Sequence, residues 1–478
     1  MSLIWKGHWR GLADSKYSGL EDSFAVSVGI DGVSIPGILQ ANQKLAKDSG
    51  STVDALCRVA ITASNGYTFW FSYTTGKIWA RASGGTWTLA YTTVAGAGGS
   101  GCLGAIEYNG FIIWATESRL HRVTIAGADD DWAAGAVNLN WQTFGVTDAS
   151  FHPMVIQNTS LFIGDGYQVA KVVAAMTFTA NALDIKTPHR IKTLIDFDID
   201  ILIGTFIHAN VTRCEVLRWD TTSTSWQTSD PIDENGVNAF IRDDNFVYAQ
   251  CGTFGKIYFY DGSQLVPFTR IPGTWSPTSY GEVFPGSVAT HLTMPVFGFS
   301  NGSGNPALQG VYRFGSYSKN YPKVMDLSFP TSQPSNMQTM SVGAILAVGA
   351  DLFVAWQDDT TYGVDKLDWS NKYASAYIET MVLTPAQVRH LLNTITRIYA
   401  NYSSLPASTD IEFKYKKAHE ASYVDITAEI TDAILLQKYV ELSIDQVAAF
   451  QLRIALTVSS NSSPQIESIG YEDSVQEL

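Results

Sequence analysis

Apolar and polar positions along this chain fall into short runs separated by glycine-rich or aspartate-rich turns. The stretch Gly66 to Trp87, GYTFWFSYTTGKIWARASGGTW, shows the grammar. YTFWFSY is a run of aromatic and β-branched residues, TTG turns, KIWARA alternates, Ser83-Gly84-Gly85 turns, and TWTLAYT alternates again. The pattern predicts three antiparallel strands within about 28 residues, most of one blade of a repeat whose period is about 40–50 residues.

Related units follow. LGAIEYNGFIIWATESRLHRVTIAG predicts a hairpin at Asn109-Gly110, the pair that accepts positive φ at both turn positions, with strands ending at Trp114 and Val123. HPMVIQNTSLFIGDGYQVAKVV turns at Asn158 to Ser160 and again at Gly164 to Gly166. VNAFIRDDNFVYAQCGTFGKIYFYDGSQLVPF turns at Asp243 to Asn245 and at Asp261-Gly262, and VGAILAVGADLFVAWQDDTTYGVDKLDW closes the series. Two less regular units lie between, at IDFDIDILIGTFIHANVTRCEVLRWD and PVFGFSNGSGNPALQGVYRFG.

A lone small sheet has two apolar faces, and stacking sheets around an axis buries both. The expectation is an all-β chain: a six- to seven-bladed β-propeller over residues 61–375, followed by a small C-terminal β-sandwich over 376–478. In the latter, DIEFKYKK and AAFQLRIALTV alternate with period two, as strands buried on one side do. Thr384 to Ile395 is expected to hold a helical turn, and residues 1–60 to form an N-terminal arm or docking segment with a short helix near SGLEDSFAVSVG. On this reading Trp70, Trp79 and Trp87 fill the space between blades and are not a ligand platform.

Composition narrows the function classes. Hydrophobic residues make up 45% and charged residues 16%, which predicts a well-buried globular chain. The formal net charge is -14, and KYKK (Lys414 to Lys417) is the one basic cluster, read as a solvated strand face. General nucleic-acid recognition is excluded for want of a basic face, whereas an acidic wall past which DNA slides is compatible. Cys57, Cys102, Cys214 and Cys251 are far apart, lack metal-ligand spacing, and are expected to be free buried thiols of a reducing cytoplasm. The start has no signal-peptide pattern, and Val342 to Trp356 is broken by Gly349 and Asp351, so neither export by a classical signal nor membrane insertion is expected.

Candidate chemistry is sparse. GFSNG (Gly298 to Gly302) matches the G-x-S-x-G nucleophile elbow, but no helix pattern follows it, so a hairpin is expected. SGGTWTL resembles the Asp-box of sialidase propellers without its aspartate, and even a complete Asp-box is structural. The acidic groups Asp129 to Asp131, Asp196 to Asp200 and Asp358-Asp359 lack the spacing of a calcium loop and read as turns or guarded strand edges. The histidines are isolated. No catalytic, cofactor-binding or metal-ligating residue is assigned, and no enzyme activity is expected.

The order of parts resembles virion proteins of tailed bacteriophages, especially the tail hub or nozzle proteins of short-tailed phages. Three features carry the resemblance: the segment GLADSKYSGLEDSF…GVSIPGILQANQKL with its Pro36-Gly37, the irregular propeller, and the terminal FQLRIALTVSSNSSPQIESIGYED. It implies a structural subunit, assembled in the host cytoplasm and resident in the virion tail. Such a subunit forms a ring-like homo-oligomer, a hexamer by resemblance, lining or ending the DNA exit channel. Its implied partners are further copies of itself, other tail, adaptor or fibre proteins, and genomic DNA passing without sequence-specific binding. The resemblance brings no cofactor and no catalytic residue. Two rival expectations stand: a tail receptor-binding protein holding host glycans on blade loops such as Tyr73 to Lys77, and, third, a polysaccharide hydrolase.

Overall fold

The computed structural model describes residues 2–6, 10–13, 22–93, 101–146, 149–207, 213–244, 246–271, 281–301, 309–315, 324–332, 340–385, 393–426, 430–431 and 436–475. Among these, strands and one short 3-10 turn account for all regular structure, and no helix is long and apolar enough to cross a membrane.

Among the described residues seven antiparallel sheets follow one another: sheets 1 to 5 are four-stranded meanders, sheet 6 is a four-stranded meander inside a larger ten-stranded sheet, and sheet 7 is a three-stranded meander completed by a strand from the amino-terminal segment. They begin at Cys57 (sheet 1), Gly104 (sheet 2), Met154 (sheet 3), His189 (sheet 4), Val237 (sheet 5), Val288 (sheet 6) and Ser341 (sheet 7). All seven correspond to units of the sequence pattern, the two irregular ones being sheets 4 and 6. The first strand of each sheet lies against the first strand of the next, and Ser341–Val348 of sheet 7 returns to Cys57–Thr62 of sheet 1. The arrangement is therefore cyclic, a β-propeller.

Burial explains why the sequence reads as it does. The second strands Thr68–Ser72, Phe111–Ala115 and Ser160–Asp165 are buried along nearly their whole length, because both faces meet a neighbouring sheet. Ile112 and Trp114 join the core between sheets 1 and 2, while Ile113 and Ala115 join that between sheets 2 and 3. The tryptophans of the Gly66 to Trp87 stretch belong to the junction of sheets 7 and 1, where Trp70, Trp79 and Trp87 pack with Phe353, Ala355 and Val364. The Asn109-Gly110 hairpin forms with both residues at positive φ, 48° and 81°.

Residues 1–60, expected as an arm, are instead divided between the two halves of the molecule. Strand β1 (Ser2–Trp5) pairs with Ile466–Val475, in a four-stranded sheet completed by Asn393–Tyr402 and Gln437–Val447. Strand β2 (Phe24–Val28) replaces the expected short helix where that segment is described. It pairs with Ala376–Thr380 on one side and with Val324–Phe329 of sheet 6 on the other. A short hairpin, β3 (Ile30–Asp31) and β4 (Gln40–Ala41), leads to β5 (Gln43–Lys47), which is the outermost strand of sheet 7. The physical reason is the edge of Thr361–Lys372, whose unpaired backbone groups the amino-terminal strand satisfies.

The remaining strands put two sheets on one apolar core that includes Trp5, Phe24, Ile398, Phe413, Phe450, Ile454 and Ile469. Ile411, Phe413, Leu452 and Ile454 all point inward, as the period-two pattern predicts. Part of the expected helical turn at Thr384 to Ile395 lies outside the described residues, and Asn393 already begins a strand. Because β2 bonds to both sides, hydrogen-bonded strands run without interruption from sheet 6 into this second unit.

Candidate functional site

Among the described residues, the places that bring polar and charged side chains together include the inner side of the propeller around Arg58 and Lys192 and the junction with the second unit. On the inner side, the Arg58 guanidinium lies 3.7 Å from the Tyr73 ring centroid and 4.1 Å from that of Phe284. Lys192 donates to Asn238 at 2.6 Å, pairs with Glu282 at 3.2 Å and sits over Phe151, whose ring meets Phe206 edge-on. Arg58 belongs to sheet 1 and Phe284 to the segment entering sheet 6, so this contact reaches past sheet 7. Gly286 permits the approach: a Cβ there would stand 2.1 Å from the Arg58 carbonyl oxygen. Beside Arg58, Tyr73, Phe151 and Phe284 a space of about 30 Å³ is left, room for one water. Burial pulls the Arg58 pKa below its usual value, and the nearby Tyr73 and Glu282 oppose that.

At the junction, Arg313 of sheet 6 reaches Asp31 of β3 at 3.2 Å and Asp326 of the neighbouring strand at 3.2 Å. Asp31 also accepts from the Val33 and Ser34 N–H groups at 3.1 and 3.0 Å, and Asp326 accepts from the Ser328 hydroxyl. Burial alone would raise the Asp31 carboxyl, but Arg313 and these donors hold it down at about 2. Burial likewise opposes the Arg313 charge, which Asp326 and Asp31 more than restore. Asn42 donates its side-chain amide to the Ser328 carbonyl at 3.2 Å, a second tie between the halves.

Beside this triad opens a cavity of about 330 Å³, lined by Asp31, Gln40, Asn42, Gln43, Arg313 and Lys372 among others. It continues, through Gln40, Gln43 and Lys372, into a polar recess of about 350 Å³ edged by Ser404, Asn461, Ser462 and Gln465 of the second unit. The two-residue turn Leu292-Thr293, with φ of 47° and 70°, also lines it. A turn of that geometry favours Asn-Gly, so leucine and threonine there hold strained backbone. Leu292 is 57% exposed and Trp369, also lining the cavity, 44%. His291, next to the turn, meets the Ala350 carbonyl at 2.8 Å, and burial keeps its pKa low.

The tempting motifs resolve into structure. Ser300 is buried in a strand, its Oγ 2.8 Å from the Val342 N–H and 3.2 Å from the Val342 carbonyl, where it ties sheet 6 to sheet 7. Residues 302–308 of that unit lie outside the described residues. Ser83 to Gly85 is a hairpin turn, and Trp87 donates its indole N–H to Asp48, which also binds Arg81. Asp196 pairs with Arg242, Asp200 with Arg218, and Asp359 forms a turn at φ 52°. In the loop from Tyr73 to Lys77, Tyr73 carries Arg58 on its ring and Lys77 pairs with Asp54 at 2.6 Å. All four cysteines are buried and unbridged, and burial pushes the Cys102 thiol up to about 12. No cluster of metal-ligating side chains occurs among the described residues. Sequence reasoning missed the junction, whose lining comes from strand ends and turns remote from one another in the chain.

No protein-family model matches the chain, and no curated protein matches it. Among solved structures, it is similar to the extracellular domain of a hybrid two-component system from B. thetaiotaomicron, at 12% identity and a TM-score of 0.46. That match covers 76% of this chain and 43% of the other, so the chain spans less than half the length of that relative. It is also similar to virginiamycin B lyase from Staphylococcus aureus, at 10% identity and TM-score 0.48, covering 69% of this chain and 99% of the lyase. The WD40 domain of Neurospora crassa Pan2 matches at 8% identity and TM-score 0.42, covering 70% and 97%. Likeness at this level carries no argument about activity, and the propeller is defined by its own strand pairing.

Proposed function

We propose that this chain is a structural virion protein of a bacteriophage tail, a nozzle- or hub-like subunit lining or ending the DNA exit channel. In this reading the seven sheets are the blades of a seven-bladed propeller, and the two sheets beyond them form a β-sandwich. The observation that carries the proposal is the double use of the amino-terminal strands. β1 and β2 complete the second unit, β5 completes the propeller, and β2 joins the two through continuous backbone pairing. A body stitched in this way has no hinge between its halves, which suits a wall that must keep its shape while DNA passes.

The inner cluster supports the same reading in a specific form. With Arg58, Tyr73 and Phe284 in mutual contact and Lys192 paired with Glu282 inside the propeller, this reading puts the channel between subunits and not through the propeller. The acidic chain, at -14, adds a surface along which DNA slides without sticking. The role is non-catalytic.

Electron cryo-microscopy of the tailed particle that carries the chain tests the proposal. Density for several copies arranged around the DNA exit path is expected. Copies found only at distal fibre tips would overturn it and favour the receptor-binding alternative.

A further inference from the structure

Most sheet edges among the described residues are guarded against pairing with another chain. The last pairing of sheets 1, 2, 3 and 5 carries a β-bulge, and the last strand of sheet 4 holds Pro231. β1, at one edge of the second unit's four-stranded sheet, is only four residues long and is bulged between Leu3 and Trp5. Bulges, prolines and short strands all spoil an edge as a template for a further strand. The opposite edge of that sheet is Gln437–Val447, 11 residues long, which pairs with Asn393–Tyr402 alone. Its bulges lie beyond Glu441, and from Gln437 to Glu441 it pairs residue for residue with Arg397 to Asn401. That run has no proline and no bulge.

Register decides where its backbone groups point. The Tyr402 N–H donates to the Leu436 carbonyl at 2.9 Å, so Leu436, Lys438 and Val440 are the residues that bond toward Asn393–Tyr402. The residues between them face the other way. The N–H and C=O groups of Gln437, Tyr439 and Glu441 therefore project from the free edge, where they meet no backbone partner among the described residues. Val440 points into the core, which puts the Tyr439 side chain on the outer face of the sheet. Tyr439 is 54% exposed, with the Arg397 guanidinium 4.8 Å from its ring centroid, and Arg397 also pairs with Glu441 at 3.2 Å. Leu436, just before the run, is 62% exposed.

The run is complementary to itself. An identical strand turned about a two-fold axis at Tyr439 sets Tyr439 opposite Tyr439, Gln437 opposite Glu441 and Lys438 opposite Val440. The outward groups of Gln437, Tyr439 and Glu441 then meet those of the mate in roughly six backbone hydrogen bonds. No like charges face each other: the Gln437 amide meets the Glu441 carboxylate, two tyrosine rings lie side by side, and the exposed Leu436 falls beside Leu442 of the mate. We propose that the Gln437–Glu441 edge is a contact between two copies of this chain, paired antiparallel about Tyr439 so that two four-stranded sheets become one. The pairing does not rest on the tail reading, and a closed assembly with an even number of copies can contain it.

Oxidative cross-linking of the full chain with copper phenanthroline tests the register. Cys57, Cys102, Cys214 and Cys251 are buried and do not compete. Facing residues of a hydrogen-bonded pair stand about 5.5 Å apart at Cα, within disulfide reach. Y439C is expected to give a cross-linked dimer, and so is Q437C/E441C. E441C alone, whose own mate stands more than about 13 Å away, is expected to give none. Sedimentation velocity of the parent is expected to show pairs or larger even-numbered species. Y439P removes an outward N–H while sparing the bonds to Asn393–Tyr402, and Y439K sets two ammonium groups face to face. Each is expected to weaken association by about tenfold or more, with the circular dichroism of the parent retained. Should Y439P fail to fold, Y439K carries the same test. A chain that stays monomeric and never cross-links through Y439C overturns the proposal and leaves the edge to a strand of another protein. Equal cross-linking by Y439C and E441C overturns it too, as does association unchanged in Y439K. A closed oligomer that forms while Y439C stays uncross-linked overturns this pairing and leaves the tail reading standing.

Discussion

Leu45 stands directly opposite Leu367 in an antiparallel pair, and both belong to the core between sheets 6 and 7. One comes from the amino-terminal segment and the other from the end of the propeller, so their pairing closes the ring. Leu45→Ala is expected to cost about 2–5 kcal/mol, the range for a buried leucine. Leu45→Asp, which buries a charge at the closure, is expected to cost more. Urea unfolding with the two variants checks this, and a loss below about 0.5 kcal/mol for Leu45→Ala would mean that β5 does not hold the ring.

Arg313 neutralises two buried carboxylates at once. Arg313→Met is expected to destabilise the chain by about 3–5 kcal/mol, because Asp31 and Asp326 are then left buried and uncompensated. Adding Asp31→Asn and Asp326→Asn to that variant is expected to recover a large part of the loss. Denaturant melts of the single and triple variants, compared at pH 7, measure both effects.

His152 gives the fold a defined pH dependence. Its ring is buried against Phe144, with Nδ1 2.7 Å from the Gly164 carbonyl and Nε2 3.1 Å from that of Glu117. Burial depresses its pKa to about 4, against the partial opposition of those carbonyls. In the unfolded chain the group titrates near 6.5, so between these values the unfolded state binds more protons. Stability from this residue is therefore full above about pH 6.5, is lost as the pH falls toward 4, and changes little below that. The loss is expected to reach about 3 kcal/mol at most. The difference in unfolding free energy between parent and His152→Gln, measured from pH 7.5 to 4, is expected to show that slope. A flat difference would count against it.

Leucine and threonine at the Leu292-Thr293 turn hold a backbone that asparagine and glycine accept freely. The double replacement L292N/T293G is expected to raise stability by about 1 kcal/mol, visible as a higher melting temperature. A lower melting temperature would show that Leu292 packs in a way its exposure does not suggest.

Sequence and structure agree where local burial writes a local signature. Phe111 to Ala115 reads as an unbroken apolar run because both faces are covered, and Asn109-Gly110 marks its turn. The second unit was legible from its period-two pattern: buried Ile411, Phe413, Leu452 and Ile454 alternate with the polar Glu412, Lys414 and Arg453, though Gln451 is buried as well. The amino-terminal strands were not. In β5 only Leu45 is buried, and its partner strand lies at the far end of the propeller sequence, so nothing nearby announces the pairing. β1 is four residues long and takes its register from Ile466–Val475. The junction cavity was hidden by the same distance, since Asp31, Arg313 and Lys372 meet only after the ring has closed. No single stretch of sequence contains the site.

The central claim is that this rigid two-part body is a ring-forming subunit with its channel between copies. Native mass spectrometry of the full chain measures this most directly. A discrete closed oligomer, six copies by the resemblance to nozzle proteins, is the predicted result; a monomer that persists at high protein concentration would contradict it.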